Sequence, residues 1–113
     1  MADPRRGDIW LGSLDPTVGN EQAGKRPLLI VSDDRFNAGR SGLVIVMPIT
    51  KHFKNIPFHV ALNPPEGGLK VPSFIECEDV RSISRERLQF HLGSVYAETL
   101  AAVEDRLRLL LTL

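Results

Sequence analysis

Three polar residues stand where apolar stretches of this 113-residue chain meet loops. Arg26 opens the run Arg26-Pro27-Leu28-Leu29-Ile30-Val31-Ser32. Thr50 closes Leu43-Val44-Ile45-Val46-Met47-Pro48-Ile49-Thr50. Glu21 lies in the loop just before Arg26. Each type has an ordinary structural use: a solvated rim arginine, a threonine bonded to nearby backbone, an exposed loop carboxylate. Together they carry more. If the two runs are antiparallel neighbouring strands, Arg26 and Thr50 fall at one end of the sheet and the loop with Glu21 lies over it. A guanidinium, a hydroxyl and a carboxylate around one cavity can handle a phosphate, because a guanidinium offers phosphate oxygens a planar, permanently charged fork.

Other chemistries find little support. There is no glycine-rich phosphate loop, no HExxH and no GxSxG. His52, His59 and His91 are scattered without the spacing of a metal site. Cys77 is the only cysteine, so neither an intrachain disulfide nor a four-cysteine metal centre can form. It sits between two glutamates on an apolar strand and reads as a structural residue.

The elements that must position these residues are short and frequently interrupted, as in a compact β-rich domain. Gly7-Asp8-Ile9-Trp10-Leu11-Gly12 reads as a first strand. The segment Asp15 to Lys25, with Pro16, Gly19-Asn20 and Gly24, reads as a loop longer than a tight hairpin needs. The strand from Arg26 to Ser32 has a continuous apolar run, so both of its faces should be covered. Residues 33–42 read as a loop with one helical turn. In the strand 43–50, Pro48 belongs at a bulge or an unpaired position, since it lacks an N–H. Residues 51–57 form a polar loop. Phe58–Leu62 and Ser73–Glu78 are further strands, with Asn63-Pro64-Pro65-Glu66-Gly67-Gly68 turning between them. Ser84 caps a brief turn. Apolar residues from Val95 to Leu111 recur at helical spacing, with Ser94 as N-cap and Glu104–Arg108 as an i,i+4 pair. These elements make a mainly β domain with α+β character, a small barrel of short strands with a C-terminal helix over an open side.

Composition sets the frame. Fourteen Lys and Arg balance fourteen Asp and Glu, 42 % of residues are apolar and 25 % charged. This is ordinary globular composition, and the length suits a single domain over 1–113, which buries roughly 65 % of its unfolded surface. Zero net charge means that any nucleic-acid surface must be a local patch. No apolar run reaches the length of a membrane span, and the first residues lack the apolar stretch of a signal peptide, so a cytoplasmic protein is expected.

The residues that suggest chemistry also carry a resemblance. Arg6-Gly7-Asp8-Ile9-Trp10, followed by Asp15-Pro16-Thr17-Val18-Gly19-Asn20-Glu21-Gln22-Ala23-Gly24-Lys25-Arg26-Pro27, resembles the opening of MazF/PemK-type toxin endoribonucleases. Val46-Met47-Pro48-Ile49-Thr50, Glu78-Asp79-Val80-Arg81-Ser82-Ile83 and the amphipathic C-terminal stretch are similar to later parts of that family. The resemblance implies an SH3-like barrel and a homodimer. The implied activity is metal-independent, sequence-specific cleavage of single-stranded RNA, usually mRNA, with no cofactor. In the implied chemistry a 2′-hydroxyl attacks, leaving a 2′,3′-cyclic phosphate and a 5′-hydroxyl. It also implies a cognate antitoxin with an extended acidic segment. Carried over by position, Arg26 and Thr50 match catalytic residues and Glu21 a loop acid that serves activity, as a candidate base. Lys25, Gln22, Lys51, Lys54, His59 and Glu78 are the expected RNA contacts. One branch of the family has an Arg-x-Asp pair where this chain has Glu76 and Glu78. Trp10 reads as core, with base stacking as the alternative. Two other readings share the fold: a gyrase-poisoning toxin, whose relatives end in a Trp-Gly-Ile trio that this chain lacks, and an inactive partner-binding barrel.

Overall fold

The structure, a computed structural model, describes residues 3–14 and 25–113. Residues 15–24, with Glu21 and Gln22, lie outside the described residues. Seven strands form an antiparallel sheet: β1 Asp8–Gly12, β2 Arg26–Ile30, β3 Leu43–Thr50, β4 His59–Leu62, β5 Ser73–Glu76, β6 Arg81–Ser84 and β7 Leu88–Ser94. The helix α1 is one turn at Asp34–Asn37, and α2 runs from Ala97 to Leu111. The strand order is β4-β5-β3-β2-β1-β7, and β6 also pairs with β3. The fold is mainly β with a C-terminal helix, as expected. Its ladders do not close into a ring: among the described residues, β7 and β4 are the two ends of the strand path.

β3 organises the sheet. β2 lies along one of its sides, in the register Leu28↔Pro48 to Ile30↔Val46. Along the other side β6 pairs with Leu43 to Val46, and β5 pairs with Ile49 and Thr50. Pro48 falls in the gap where β6 gives way to β5, where the missing N–H leaves no ladder bond unmade.

The continuous apolar runs of β2 and β3 are explained by burial on both faces. Ile9, Leu29, Met47, Ile49 and Ile75 pack on one side with Val60, Leu62, Cys77 and Val103 of α2. Trp10, Leu28, Ile30, Val44 and Val46 pack on the other side with Ile83 and Leu88. Trp10 is therefore a core residue, 4 % exposed. Each large side chain so buried contributes roughly 1.5–3 kcal/mol. Cys77 is fully buried, and burial, reinforced by the charge of Glu78, pushes its thiol up to about 12. It stays neutral at physiological pH and is no nucleophile.

Two strands differ from the sequence expectation. β6 and β7 lie in stretches without an apolar run, and β7 pairs with β1 through two register shifts. The C-terminal helix begins at Ala97 rather than at Ser94. Ser94 pairs with Asp8 in the β1–β7 ladder, and its hydroxyl donates to Asp8 Oδ1 at 3.1 Å. The buried Glu66 carboxylate performs the capping instead, accepting from the Tyr96 N–H at 2.9 Å. Glu104 pairs across the molecule with Arg6 at 2.6 Å rather than along the helix with Arg108. Before α1, Asp33 caps as Ser84 does before the turn Arg85–Arg87. The Arg35 backbone N–H, and then its guanidinium, hold the Asp33 carboxyl below its usual value.

Candidate active site

The β2–β3 register, continued by two residues from Leu28↔Pro48, sets Arg26 opposite Thr50. β5 adds Phe74 opposite Thr50, and β4 adds Ala61 opposite Phe74. Directly opposed residues of antiparallel strands share a face, so Arg26, Thr50, Phe74 and Ala61 form a row across four strands. Glu76 and His59, themselves opposed, form the next row on that face. This surface is the polar continuation of the face that buries Leu28, Val46 and Trp10. The alternation that places those residues in the core places Arg26 and Thr50 at its rim.

A cavity of about 600 Å³ opens at this end of the sheet. Lys25, Arg26, Thr50, Lys51, His52 and Lys70 supply its polar lining, with Leu69 and Leu92 among the apolar walls. No carboxylate lines it among the described residues. A protein of zero net charge thus carries one concentrated positive patch, which is the local solution that a neutral chain requires for an anionic ligand.

Thr50 is 6 % exposed, and its Oγ1 accepts a hydrogen bond from the His52 N–H at 3.2 Å. The ordinary role of a strand-ending threonine is therefore present. It uses the oxygen as acceptor and leaves the hydroxyl proton available to donate to an anion. Arg26 is held by Glu76, whose Oε1 lies 3.4 Å from the guanidinium, while Oε2 lies 3.6 Å from Lys54 Nζ. Glu76 is 7 % exposed, and Arg26 remains nearly half exposed. Both ion pairs are at the long end of the range. They orient two cations toward the face without enclosing them, so a phosphate can compete for both.

Sequence reasoning missed the importance of Glu76. It was visible only as the residue standing where a family branch has an arginine. Its use emerges from the β4–β5–β3 pairing, which carries a buried carboxylate to the side of Arg26. His52 and Lys70 were also missed as lining residues.

His59 and Glu78 pair with one another beside Glu76. The His59 side chain is only 4 % exposed, and its Nε2 sits 2.8 Å from Glu78 Oε2. Its Nδ1 is buried with no hydrogen-bond partner among the described residues. This pattern assigns the proton to Nε2, donating to Glu78, and leaves a bare lone pair at Nδ1. A ring this enclosed fixes Glu78. His59, Glu76 and Glu78 bring one candidate ligand atom each to within 4.8 Å of one another. A cation there would have to displace Arg26 and Lys54 from Glu76. Coordination through Nε2 would also move the imidazole proton to Nδ1, which has no acceptor, and leave an unpaired buried donor. These residues fit an internal hydrogen-bonded cluster better than a metal centre.

Comparison with known proteins finds relatives over nearly the whole chain. Residues 5–111 match the family model of the PemK-like, MazF-like toxins of type II toxin–antitoxin systems. Endoribonuclease MazF9 of Mycobacterium tuberculosis is 41 % identical, over 96 % of this chain and 97 % of that protein. The crystal structure of MazF from Deinococcus radiodurans superposes with a TM-score of 0.84 at 31 % identity, each chain covered in full. An endoribonuclease from a mycobacterial species, solved in complex with its cognate antitoxin, gives 0.77 at 25 % identity, covering 100 % of this chain and 97 % of that one. With the sheet, the C-terminal helix and nearly the whole length in common, the chain belongs to the PemK-like, MazF-like toxin family of type II toxin–antitoxin systems.

Proposed function

We propose that this protein is the toxin of a toxin–antitoxin pair and acts as a metal-independent, sequence-specific endoribonuclease on single-stranded RNA, mRNA foremost. The observation that carries the proposal is the positive cavity in which Arg26 stands across from Thr50. The name of the relative MazF9, an endoribonuclease, supports the reaction class.

The chemistry follows from the residue types. The ribose 2′-oxygen attacks the adjacent phosphorus and the P–O bond to the 5′-oxygen of the next nucleotide breaks. Negative charge builds on the non-bridging oxygens as the bond order changes. Arg26 supplies fixed positive charge with directed N–H groups, and Thr50 donates a hydroxyl proton in hydrogen bonding. The proton lost by the 2′-hydroxyl goes to a general base, for which Glu21 is the candidate, and the departing 5′-oxygen takes up a proton. The products are a 2′,3′-cyclic phosphate and a 5′-hydroxyl. Lys25, Lys51 and Lys54 hold the backbone on either side. Gln22 and Glu78 are assigned to further RNA contacts, with His59 holding Glu78.

The same surface suits an antitoxin segment that is extended and acidic, since carboxylates can occupy the positions of phosphates. The antitoxin complex of the mycobacterial relative supports this partner class. A cytoplasmic homodimer is the assembly that we assign, twofold pairing being the commonest closed arrangement.

Purified protein incubated with mixed single-stranded RNA, and with the same RNA annealed to its complement, tests the proposal. Fragments ending at one short recurrent sequence are expected from the single strands, with the duplex resistant. Intact RNA together with inhibition of DNA gyrase would replace this reading with that of a gyrase poison.

A further inference from the structure

Phe53 is the second most exposed large apolar side chain of the described residues, 70 % open to solvent. It stands in the loop after Thr50, between Lys51-His52 and Lys54. Its ring rests against Phe74, with centroids 5.5 Å apart and planes tilted by 53°. Phe74 is the residue that β5 sets opposite Thr50. An aromatic braced by a second ring in this way keeps most of its surface open to solvent.

Its surroundings identify what that face takes. Lys51 lines the positive cavity with Arg26 and Thr50. Lys54 reaches Glu76, the carboxylate that also holds Arg26. Phe53 is three residues from Thr50, at most about 10 Å along the chain. A flat apolar face flanked by cations, next to a positively charged cavity, is the arrangement that single-stranded nucleic acid uses: the cations track the backbone while bases stack on rings. We infer that Phe53, braced by Phe74, is the stacking platform for a nucleobase next to the scissile phosphate. The inference rests on the RNA-cleaving function proposed above and adds a binding subsite to it. Stacking tolerates every base, because each has a π face. The platform therefore contributes grip and alignment, while discrimination falls to hydrogen-bonding groups elsewhere.

The test compares the full-length protein with Phe53→Leu and Phe53→Trp on one single-stranded RNA that the parent cleaves. A second RNA carries an abasic nucleotide on either side of the cleavage point in turn. Phe53→Leu is expected to raise KM roughly 5–150-fold, the range of one base–aromatic stack, with melting temperature and sedimentation mass unchanged. Phe53→Trp should retain normal KM and lose indole fluorescence as RNA binds, measured against the buried Trp10 signal of the parent. On the RNA with the abasic nucleotide at the stacked position, parent and Phe53→Leu should become equal. Equal KM for parent and Phe53→Leu on the intact RNA would overturn the inference while leaving the cleavage function standing. A lower sedimentation mass for Phe53→Leu would also overturn it and assign the ring to contact between subunits. A parent protein that cleaves no RNA would instead remove the functional reading beneath it.

Discussion

Arg26→Ala and Thr50→Ala are each expected to slow RNA cleavage by roughly 10²–10³-fold, the loss that follows removal of one donor to developing charge, about 3–4 kcal/mol. Thr50→Ala removes a buried hydroxyl that accepts from the His52 N–H and should cost about 1 kcal/mol, whereas the folded state should scarcely notice Arg26→Ala. Arg26 lies at the end of β2 and is nearly half exposed, and its removal leaves Lys54 facing the buried Glu76 carboxylate. No uncompensated buried charge results. Arg26→Lys should recover only part of the rate, since an ammonium keeps the charge and loses the planar fork. If the two side chains act on one phosphate, the double variant loses less than the product of the single losses. Single-turnover rates beside thermal unfolding for the four variants are the measurement. Near-normal cleavage by Arg26→Ala contradicts its assignment, and a fall in melting temperature large enough to explain the lost rate returns it to a structural role.

Gly93→Ala is expected to lower stability by about 2–3 kcal/mol, the cost of forcing extra volume into a packed contact. In β7 a Cβ at this position would lie 2.6 Å from the Gly67 carbonyl carbon and 2.8 Å from the Gly68 nitrogen. Those atoms are backbone, so no side chain can swing aside. The partner turn is equally committed: Gly68 has φ 74° and its own missing Cβ would meet the Leu92 carbonyl. This close approach docks the turn 66–68 against β7, beside the cavity that Gly68 and Leu92 line. For a domain of this size the loss corresponds to a melting temperature lower by about 10–20 °C. Gly42→Ala is the control. Its φ of 71° is unfavourable to alanine, but its Cβ would meet nothing within 4 Å, so only about 1–2 kcal/mol of backbone strain is expected. Urea unfolding of both variants decides. A loss for Gly93→Ala no larger than that for Gly42→Ala would show that the close approach to Gly67 and Gly68 does not govern Gly93.

Much of the fold was legible because its central strands are buried on both faces. Leu28 to Ile30 and Val44 to Met47 announce themselves as continuous apolar runs. β6 and β7 do not. Arg81-Ser82-Ile83-Ser84 buries only Ile83, and β7 leaves Phe90 62 % exposed. Such strands are fixed by pairing with a neighbour, which composition cannot reveal. The start of α2 was misplaced for a related reason: its cap is Glu66, thirty residues away in sequence. At the site, Arg26 and Thr50 were readable from strand ends alone, because their register depends only on adjacent strands. Glu76 was not. Its meaning depends on β5 crossing to the far half of β3, and on burial that turns an ordinary glutamate into an orienting charge. His59 shows the opposite limit. Its type suggested a backbone contact, and only the packing revealed an enclosed ring bonded to Glu78.

The ends left after cleavage without a divalent ion report the chemistry most directly. Single-stranded RNA should be cut by the purified protein in excess EDTA at the rate seen without chelator. The upstream fragments should carry 2′,3′-cyclic phosphates by mass, and the downstream fragments should accept label from polynucleotide kinase without prior phosphatase treatment. Cleavage that stops on chelation and returns with a divalent ion, or downstream fragments bearing 5′-phosphates, would contradict it.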